Sequence, residues 1–521
     1  MKWLIISLAI LAILAVLAAL GTIYVYGRFG RHLYGQPAKA IEPVEGQTEI
    51  DRESVPLLAG KDGQSAVTLV SDNLDAFSVR AISARKAGRS LDLQYYYWRR
   101  DLTGRLLAGE VLAAADRGVK VRLLLDDINA GLHDRFCLAL DAHENIQVRL
   151  FNPSRARNDR FRRGLEMMLR PLRATRRMHN KTWIADGRVV IAGGRNIGDA
   201  YFDAAEQANF RDLDMWMLGP IAREAASVFD DYWNSSMVLP IGSLRTPHRH
   251  YLPRLRRKLA KLARGKGGRH YLGHVEQAEA ESGLFHGSGE LRFTGDITIK
   301  ADPPEKAHLE RRQNWLMQEL LPHITAAGRS VKIISPYFIP GADGVKELCG
   351  LVARGVDVAI LTNSLAATDV AAVHGAYANY RRKLVAGGVT LYELKAVQEA
   401  TETQRISLFG SRGASLHTKA FTIDGKGAFV GSMNFDPRSA SLNTEMGVLF
   451  TCPSLVADVD AIFALETHPG TSFRLSLEKG KLCWNDEAQH CSRMLEREPD
   501  AGFWRRVTAA IIGYLPIESQ L

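Results

Sequence analysis

The sequence predicts an α/β protein of two similar lobes, each a mixed β-sheet flanked by helices, with one active site between them. The pattern MHNKTWIADGRVVIAGGRNIGD at 178–199 returns as LHTKAFTIDGKGAFVGSMNFD at 416–436, so His, Lys, Asp and Asn recur 238 residues later. Strand–helix–strand patterns before each copy repeat at a similar offset. A fixed offset of this kind indicates internal duplication. With 521 residues, the chain is long enough for two such units.

The amino-terminal run 3–26 contains 24 residues without a charge and predicts a transmembrane helix. At about 1.5 Å per residue it would extend about 36 Å, which exceeds a hydrocarbon core of about 30 Å. A cleaved secretory signal is the alternative, because Leu17, Ala18 and Ala19 offer small residues near a cleavage point. We expect a retained anchor at 1–30 and a linker containing several prolines at 31–64.

Each half then begins with a strand–helix–strand unit, which favours parallel strands. In the first half the predicted elements are a strand at 91–98, a helix at 103–117 stopped by Gly118, and a strand at 119–125. In the second half they are a strand at 331–334, a helix stopped by Gly355, and a strand at 358–361. The predicted units are a first lobe at 65–245, a basic connecting segment at 246–290, a second lobe at 291–470, and a C-terminal extension with an amphipathic helix at 471–521.

The repeated pattern places its polar residues on a strand–turn–strand hairpin. His and Lys are two residues apart, so on a strand both side chains point to the same face. Asp186 and Asp424 are each followed by glycine, which is good turn chemistry. We therefore expect these two aspartates to be structural rather than chemical. Asn196 and Asn434 would return toward the His and Lys from the next strand.

The spacing His-x-Lys-x4-Asp followed by Gly-Gly or Gly-Ser and Asn, present twice, resembles the signature of the phospholipase D superfamily. The resemblance implies two lobes related by a pseudo-two-fold axis, with His179 and His417 facing each other. One would attack a phosphodiester and the other would protonate the leaving alcohol, and imidazole suits both tasks. Lys181 and Lys419 with the two asparagines would stabilise the phosphoryl oxygens without a metal or cofactor. Two unrelated hairpins with surface His and Lys are the alternative.

An acidic residue behind each copy would orient a histidine, as the resemblance implies, and we assign this role to Asp214 and Glu445. Asp212 lies nearby in the sequence. The candidate catalytic residues are His179, Lys181, Asp186, Asn196, Asp214, His417, Lys419, Asp424, Asn434 and Glu445.

Four further segments, at 193–202, 360–384, 435–447 and 503–516, resemble the bacterial cardiolipin synthases of the C type. This closer resemblance runs from about residue 65 to the end and implies a phosphatidyltransferase of the bacterial inner membrane. Its substrate would be phosphatidylglycerol, with phosphatidylethanolamine as a candidate co-substrate, and a phosphatidyl-histidine intermediate would lead to cardiolipin. A phospholipase D hydrolase, a nuclease of the same superfamily and a non-catalytic membrane scaffold remain as alternatives.

Charge separates these alternatives only in part. A net charge of +10 fits either a membrane surface or nucleic acid. The segment 155–177 carries nine arginines around an apolar Met-Met-Leu, which suits an anionic membrane better than nucleic acid, although a solvated basic loop has the same composition. The segment 503–515 has an apolar face that could lie on a bilayer or pack on the core. Five scattered cysteines without a CxxC pattern predict neither a disulfide framework nor a zinc site.

Overall fold

The computed structural model describes residues 2–27, 35–130, 134–154, 175–206, 208–245, 248–282, 284, 286–308, 315–396, 413–488, 491–513, 515 and 518–520. Within these ranges the chain forms two large mixed sheets with helices packed on them. The predicted mixed α/β fold, with two sheets flanked by helices, is confirmed. No helix among the described residues qualifies as long and apolar enough to cross a membrane.

The strands of the first half are β1 Ser65–Val70, β2 Ser90–Tyr95, β3 Lys120–Asp126, β4 Ile146–Phe151, β5 Thr182–Ala185, β6 Val189–Gly193, β7 Ala208–Arg211, β8 Asp214–Leu218, β9 Val238–Pro240 and β10 Arg292–Thr294. Its helices are α1 Lys2–Gly27, α2 Glu49–Leu58, α3 Asn73–Lys86, α4 Leu102–Asp116, α5 Asp127–Ala130, α6 Asp134–Asp141, α7 Ile221–Trp233, α8 Ile241–Leu244, α9 Tyr251–Ala263 and α10 Lys266–Glu281.

The strands of the second half are β11 Ile297–Ala301, β12 Ser330–Ile334, β13 Asp357–Asn363, β14 Thr390–Leu394, β15 Gly413–Leu416, β16 Ala420–Ile423, β17 Gly427–Gly431, β18 Met446–Phe450, β19 Ser472–Glu478, β20 Lys481–Ala488 and β21 Cys491–Leu495. Its helices are α11 Leu316–Thr325, α12 Gly341–Ala353, α13 Ala371–Ala386, α14 Pro437–Ser441, α15 Pro453–Glu466 and α16 Phe503–Gly513.

The two sheets repeat one topology. The first has the order β10-β1-β8-β6-β5-β2-β3-β4-β9 and the second β11-β18-β17-β16-β12-β13-β14-β19-β20-β21. In each, three parallel strands adjoin an antiparallel hairpin: β2, β3 and β4 beside β5–β6, and β12, β13 and β14 beside β16–β17. The predicted helix stops are also present, because Gly118 and Gly355 have φ of 100° and 88°, which favours glycine.

The sheets cross two of the predicted boundaries. Strand β10 falls inside the predicted second lobe, yet it pairs with β1 of the first sheet. Strands β19–β21 fall in the predicted C-terminal extension and lengthen the second sheet beyond β14. The other predicted boundaries stay predictions.

An apolar core joins the lobes and fixes how they face each other. One buried cluster combines residues from both sheets and from the helices α7 and α15, including Met215, Phe229, Val448 and Leu455. Burial of this kind of apolar surface is the main favourable term in holding two such units together. The polar ends of the two hairpins are therefore held against each other at the edge of a packed interface.

Candidate active site

The site lies where the chain of one lobe runs beside the chain of the other. The amide of His179 donates to the carbonyl of Thr444 at 2.9 Å, and the amide of His417 donates to the carbonyl of Arg211 at 2.7 Å. Strands β7 and β15, one from each lobe, also pair in parallel. Because each histidine follows the backbone of the opposite lobe, the two repeats complete each other at this point.

The two motif histidines were expected on the first strand of each hairpin, and this is wrong. Strand β5 begins at Thr182 and β16 begins at Ala420, so both histidines precede their strands. The reason is the exchange of backbone hydrogen bonds between lobes, which takes His179 and His417 out of their own sheets. Both side chains are nonetheless buried, with 8% and 6% exposure.

His179 is held by groups of the second lobe. Its Nδ1 lies 2.8 Å from Glu445 Oε2 and 3.1 Å from the carbonyl oxygen of Ser432. Both partners are acceptors, so Nδ1 carries the hydrogen and the neutral ring keeps its lone pair on Nε2. The Ser432 and Ser439 hydroxyls donate to the two Glu445 oxygens at 2.5 and 2.8 Å, which fixes the carboxylate.

His417 is held in the same way by the first lobe, but its partner is Asp212. Its Nδ1 lies 2.5 Å from Asp212 Oδ2. At the other ring nitrogen, Nε2 lies 3.4 Å from the hydroxyl of Tyr201. That hydroxyl accepts from Asn196 Nδ2 at 3.1 Å and from the Tyr97 hydroxyl at 3.0 Å, which leaves its own hydrogen for His417.

The assignment of Asp214 to a histidine is therefore wrong. Asp214 Oδ2 accepts from Arg80 Nη2 at 2.7 Å and lies 3.4 Å from Arg195 Nη1, and all three side chains are buried. The strand register would have identified Asp212. Gly193 pairs with Asp214, and Gly431 pairs with Gly447, so Asp214 corresponds to Gly447. Two residues earlier, Asp212 corresponds to Glu445.

We predict that Asp214→Asn lowers the free energy of unfolding by about 3–5 kcal/mol, because it leaves two buried guanidinium groups without their carboxylate. Urea unfolding followed by circular dichroism measures this loss. Asp458→Asn is the matched control, since its ion pair with Arg292 is 38% exposed at Asp458 and should contribute far less to stability. Equal losses in the two variants would contradict the assignment of Asp214 to the buried pair.

The motif lysines are buried beside the histidines, each with 1% exposure. Lys181 Nζ donates to the carbonyl of His179 at 2.5 Å, and Lys419 Nζ donates to the carbonyl of His417. Burial lowers the pKa of Lys181 to about 7 and that of Lys419 to about 8, against the attraction of Glu445 and Asp212. Two ammonium groups at this depth form a strong site for an anion.

Burial also lowers the pKa values of both histidines. It lowers that of His179 to about 4, opposed by Glu445 and assisted by Lys181. The pKa of His417 is lowered by burial and by Lys419, opposed by Asp212. Burial alone would raise the pKa of Asp212, but the charges of His417 and Lys419 outweigh it and hold it below its usual range. At neutral pH this geometry therefore favours neutral imidazoles beside ionised carboxylates.

The two turn aspartates lie at the hairpin turns and bond to backbone amides of the neighbouring strands. Asp186 and Asp424 have positive φ values of 54° and 56°, which suits the hairpin turns. Asp186 accepts backbone N–H bonds from Gly88, Arg89 and Ser90 at 2.7–3.0 Å. Asp424 accepts the same three bonds from residues 328–330 at 2.7–3.1 Å. Each aspartate ties its hairpin to the start of the neighbouring parallel strand.

The two motif asparagines differ from each other. Asn196 supports Tyr201 through its amide group, and its Oδ1 accepts from the Tyr97 amide at 3.4 Å. Asn434 is buried, and its Oδ1 accepts no hydrogen bond from the described residues. Sequence reasoning missed Tyr201, because no equivalent of this tyrosine exists in the second copy and the repeat gave no signal for it.

A separate group of possible metal ligands, His374, Glu393 and Glu498, is the one such cluster among the described residues. Arg381 already bonds to these groups, with Nη1 at 3.2 Å from Glu393 Oε1 and 3.3 Å from His374 Nε2, and with Nη2 on Glu498 Oε1. The guanidinium neutralises the carboxylates, so the residues form a structural ion cluster and do not fit a metal. The predicted arginine-rich insertion lies outside the described residues from 155 to 174.

Comparison with known proteins identifies the family. The family described as cardiolipin synthase, phospholipase D-like domain, matches residues 81–233 and 320–466. Cardiolipin synthase C of Escherichia coli is 40% identical over 475 residues, covering 89% of this chain and 98% of that protein. An uncharacterized protein of Helicobacter pylori is 34% identical over 455 residues, covering 85% and 87% of the two chains.

A solved structure supports the same fold. Phosphatidylserine synthase of Haemophilus influenzae covers 90% of this chain and 100% of its own, with a TM-score of 0.57 and 14% identity. At that identity the likeness concerns the fold alone. The family match spans both repeats, and each repeat supplies one histidine to the site. The chain therefore belongs to the cardiolipin synthase family of phospholipase D-like phosphatidyltransferases.

Proposed function

We propose that this chain makes cardiolipin from phosphatidylglycerol at a bacterial inner membrane, through a phosphatidyl-histidine intermediate. The observation that carries the proposal is the pair of histidine–carboxylate contacts between lobes, at 2.8 Å for His179 with Glu445 and 2.5 Å for His417 with Asp212. Two such histidines suit a displacement that is split into two steps. Phosphatidylethanolamine is the candidate co-substrate.

The different surroundings of the two rings support different roles. No described residue hydrogen-bonds to Nε2 of His179, so its lone pair is available to attack phosphorus. Nε2 of His417 lies 3.4 Å from the Tyr201 hydroxyl, whose hydrogen points to its lone pair and makes attack on phosphorus less favourable. We therefore assign His179 as the nucleophile and His417 as the general acid and base.

In the first step, His179 Nε2 forms a bond to the phosphorus and the bond to the headgroup oxygen breaks. His417, protonated, gives its Nε2 proton to that oxygen, and glycerol leaves. The bound anionic phosphodiester would raise the pKa of His417 and so supply the protonated form. In the second step, His417 takes the proton of a hydroxyl on a second phosphatidylglycerol. That oxygen bonds to phosphorus, the N–P bond breaks, and cardiolipin leaves with His179 restored.

The buried lysines and the predicted membrane anchor also support the proposed reaction. Lys181 and Lys419 supply positive charge beside the histidines, where charge on the phosphoryl oxygens is stabilised best. The uncharged run 3–26 predicts the anchor that would keep the enzyme with its lipid substrate. A lipid-filled site with little water would favour an alcohol over water as acceptor.

The test is a lipid assay on the full-length protein in mixed vesicles with a chelator. Labelled phosphatidylglycerol should give labelled cardiolipin, and a parallel set with labelled phosphatidylethanolamine reports the co-substrate. Cardiolipin from phosphatidylglycerol supports the proposal, and label from the second lipid adds that lipid as donor. Phosphatidate as the sole product would indicate a hydrolase. No lipid product, together with salt-sensitive cleavage of DNA, would indicate a nuclease.

The lowered pKa values predict that kcat/KM falls toward both ends of the pH range. Activity should fall as pH drops through about 4, where His179 becomes protonated and loses its lone pair. It should also fall as pH rises through 7 to 8, where Lys181 and Lys419 lose their protons. A soluble short-chain phosphatidylglycerol gives this profile without changes in the bilayer. Undiminished kcat/KM at pH 9, with the fold intact by circular dichroism, would contradict it.

A further inference from the structure

The C-terminal helix α16 carries a large exposed apolar surface. Phe503 and Trp504 are 68% and 77% exposed, Ile511 is 58% exposed, and Leu515 just beyond the helix is 48% exposed. We call these four residues the C-terminal apolar face. At 100° per residue, positions 503, 504 and 511 fall within about 100° of one another on the helix. Soluble surfaces rarely expose apolar side chains of this size in one group.

The opposite side of α16 is packed tightly against the second lobe. Ala509 is buried at 6% exposure, and a Cβ added to Gly375 of α13 would lie 2.3 Å from its carbonyl oxygen. A Cβ added to Gly513 would lie 2.7 Å from the Gly375 carbonyl oxygen, and Asn379 Nδ2 donates to the Gly513 carbonyl at 2.9 Å. The sequence left open whether this segment packs on the core or lies on a bilayer. In the structure one side of the helix packs on the second lobe and the other side is exposed.

The same segment is tied to loops beside the candidate active site. Arg505 donates from Nε to the Leu365 carbonyl at 2.7 Å and from Nη2 to the Thr368 carbonyl. The next residue, Asp369, is close enough to contribute to the electrostatics of His417. Arg438, four residues after Asn434, donates to the carbonyl of Gln520 at 3.1 Å. The C-terminal segment is thus hydrogen-bonded to loops at the rim of the site.

Charge beside this face indicates what covers it. Arg505 and Arg506 directly follow Phe503 and Trp504, and the hydrogen bonds of their guanidinium groups go to backbone carbonyls. Arg382 and Lys383 are exposed on α13, one turn beyond Asn379, near the other end of α16. Aromatic side chains next to basic ones are typical of the interface between water and anionic lipid. These basic groups complement an anionic lipid surface, and the proposed function supplies such a lipid as the substrate.

We propose that the C-terminal apolar face inserts into the interfacial region of a phospholipid bilayer and holds the active site against the lipid surface. This inference rests on the proposed function for the lipid substrate. Contact of the C-terminal apolar face with the bilayer does not itself require catalytic turnover. The side chains of Phe503 and Trp504 would enter the headgroup layer, while Arg382 and Lys383 would meet anionic headgroups.

The physical test uses full-length protein in phosphatidylglycerol vesicles made with lipids brominated near the headgroup. Bromine quenches nearby tryptophan, so wild type should lose more emission than Trp504→Phe, and the difference should persist in the His179→Ala background. Equal quenching in the two proteins would overturn the proposal, whether or not cardiolipin forms. Quenching of Trp504 without any transferase activity would keep the docking surface and refute the proposed function instead.

The functional test replaces Trp504 and Ile511 with serine. We expect about a tenfold lower rate on vesicles, and a rate within twofold of wild type on a monomeric short-chain phosphatidylglycerol. Leu465→Ser is the matched control, because Leu465 is 63% exposed on α15, outside the face. Equal rates on both substrates would overturn the proposal, and so would an equal vesicle loss in the control. A concentration-dependent dimer lost in the variant, with vesicle rates unchanged, would identify a second copy as the occupant.

Discussion

His179→Ala is expected to lower turnover of the proposed substrate phosphatidylglycerol by about 10⁵-fold or more, since it removes the proposed nucleophile of a covalent mechanism. The ring is buried, its Nδ1 is bonded to Glu445, and its Nε2 is the free nitrogen at the junction of the lobes. No other group in the described part of the chain occupies that position. Cardiolipin formation by the purified variant measures the loss, and His323→Ala, at an exposed position, is the control.

The two histidines can be told apart with a substrate that needs no acid. A phosphatidyl ester of an acidic phenol, such as p-nitrophenol, leaves without protonation. With this substrate, His417→Ala should release one equivalent of phenolate per enzyme as a burst and then stall, because the first step needs only His179. His179→Ala should give no burst. A burst in His179→Ala and none in His417→Ala would reverse the assigned roles, and normal cardiolipin synthesis by either variant would refute the mechanism.

Glu445→Gln and Asp212→Asn should each lower turnover by about 10³–10⁴-fold, although neither acid touches the substrate. An amide in place of the carboxylate can donate to Nδ1 and so moves the ring hydrogen to Nε2, which is the wrong tautomer. Steady-state cardiolipin formation measures both losses. Rates within tenfold of wild type would contradict the assignment of these acids to the histidines.

Because each acid bonds to the histidine of the opposite lobe, the burst assay can test the two pairs separately. Glu445 holds His179, so Glu445→Gln should abolish the phenolate burst even though Glu445 lies in the second repeat. Asp212 holds His417, so Asp212→Asn should keep the burst and slow the second step. Pairing within each lobe would give the opposite pattern. Both variants are nearly isosteric, and unfolding in urea checks that the burst reports chemistry rather than loss of fold.

Many residues of the candidate site could be predicted from the sequence because the motif occurs twice in the chain. Two copies of one polar pattern at a constant offset identified both histidines, both lysines and the turn aspartates. The same repeat predicted parallel strand–helix–strand units before each hairpin, and these are present. Local chemistry sufficed here, since an Asp-Gly turn and alternating apolar residues specify a hairpin without help from distant parts of the chain.

Contacts across the lobe interface could not be predicted from the repeated pattern. The choice of Asp212 over Asp214 depends on strand register, which places one carboxylate on His417 and the other on two buried arginines. The Tyr201 hydroxyl at His417, the exchange of acids between repeats and the exposure of Trp504 also depend on packing. Local pattern and repetition in the sequence were therefore enough to predict the fold class, the family and the candidate reacting groups. Which acid bonds to which histidine could be seen only in the tertiary structure. The paired residues are more than 200 positions apart in the chain, and a shared apolar core brings them together.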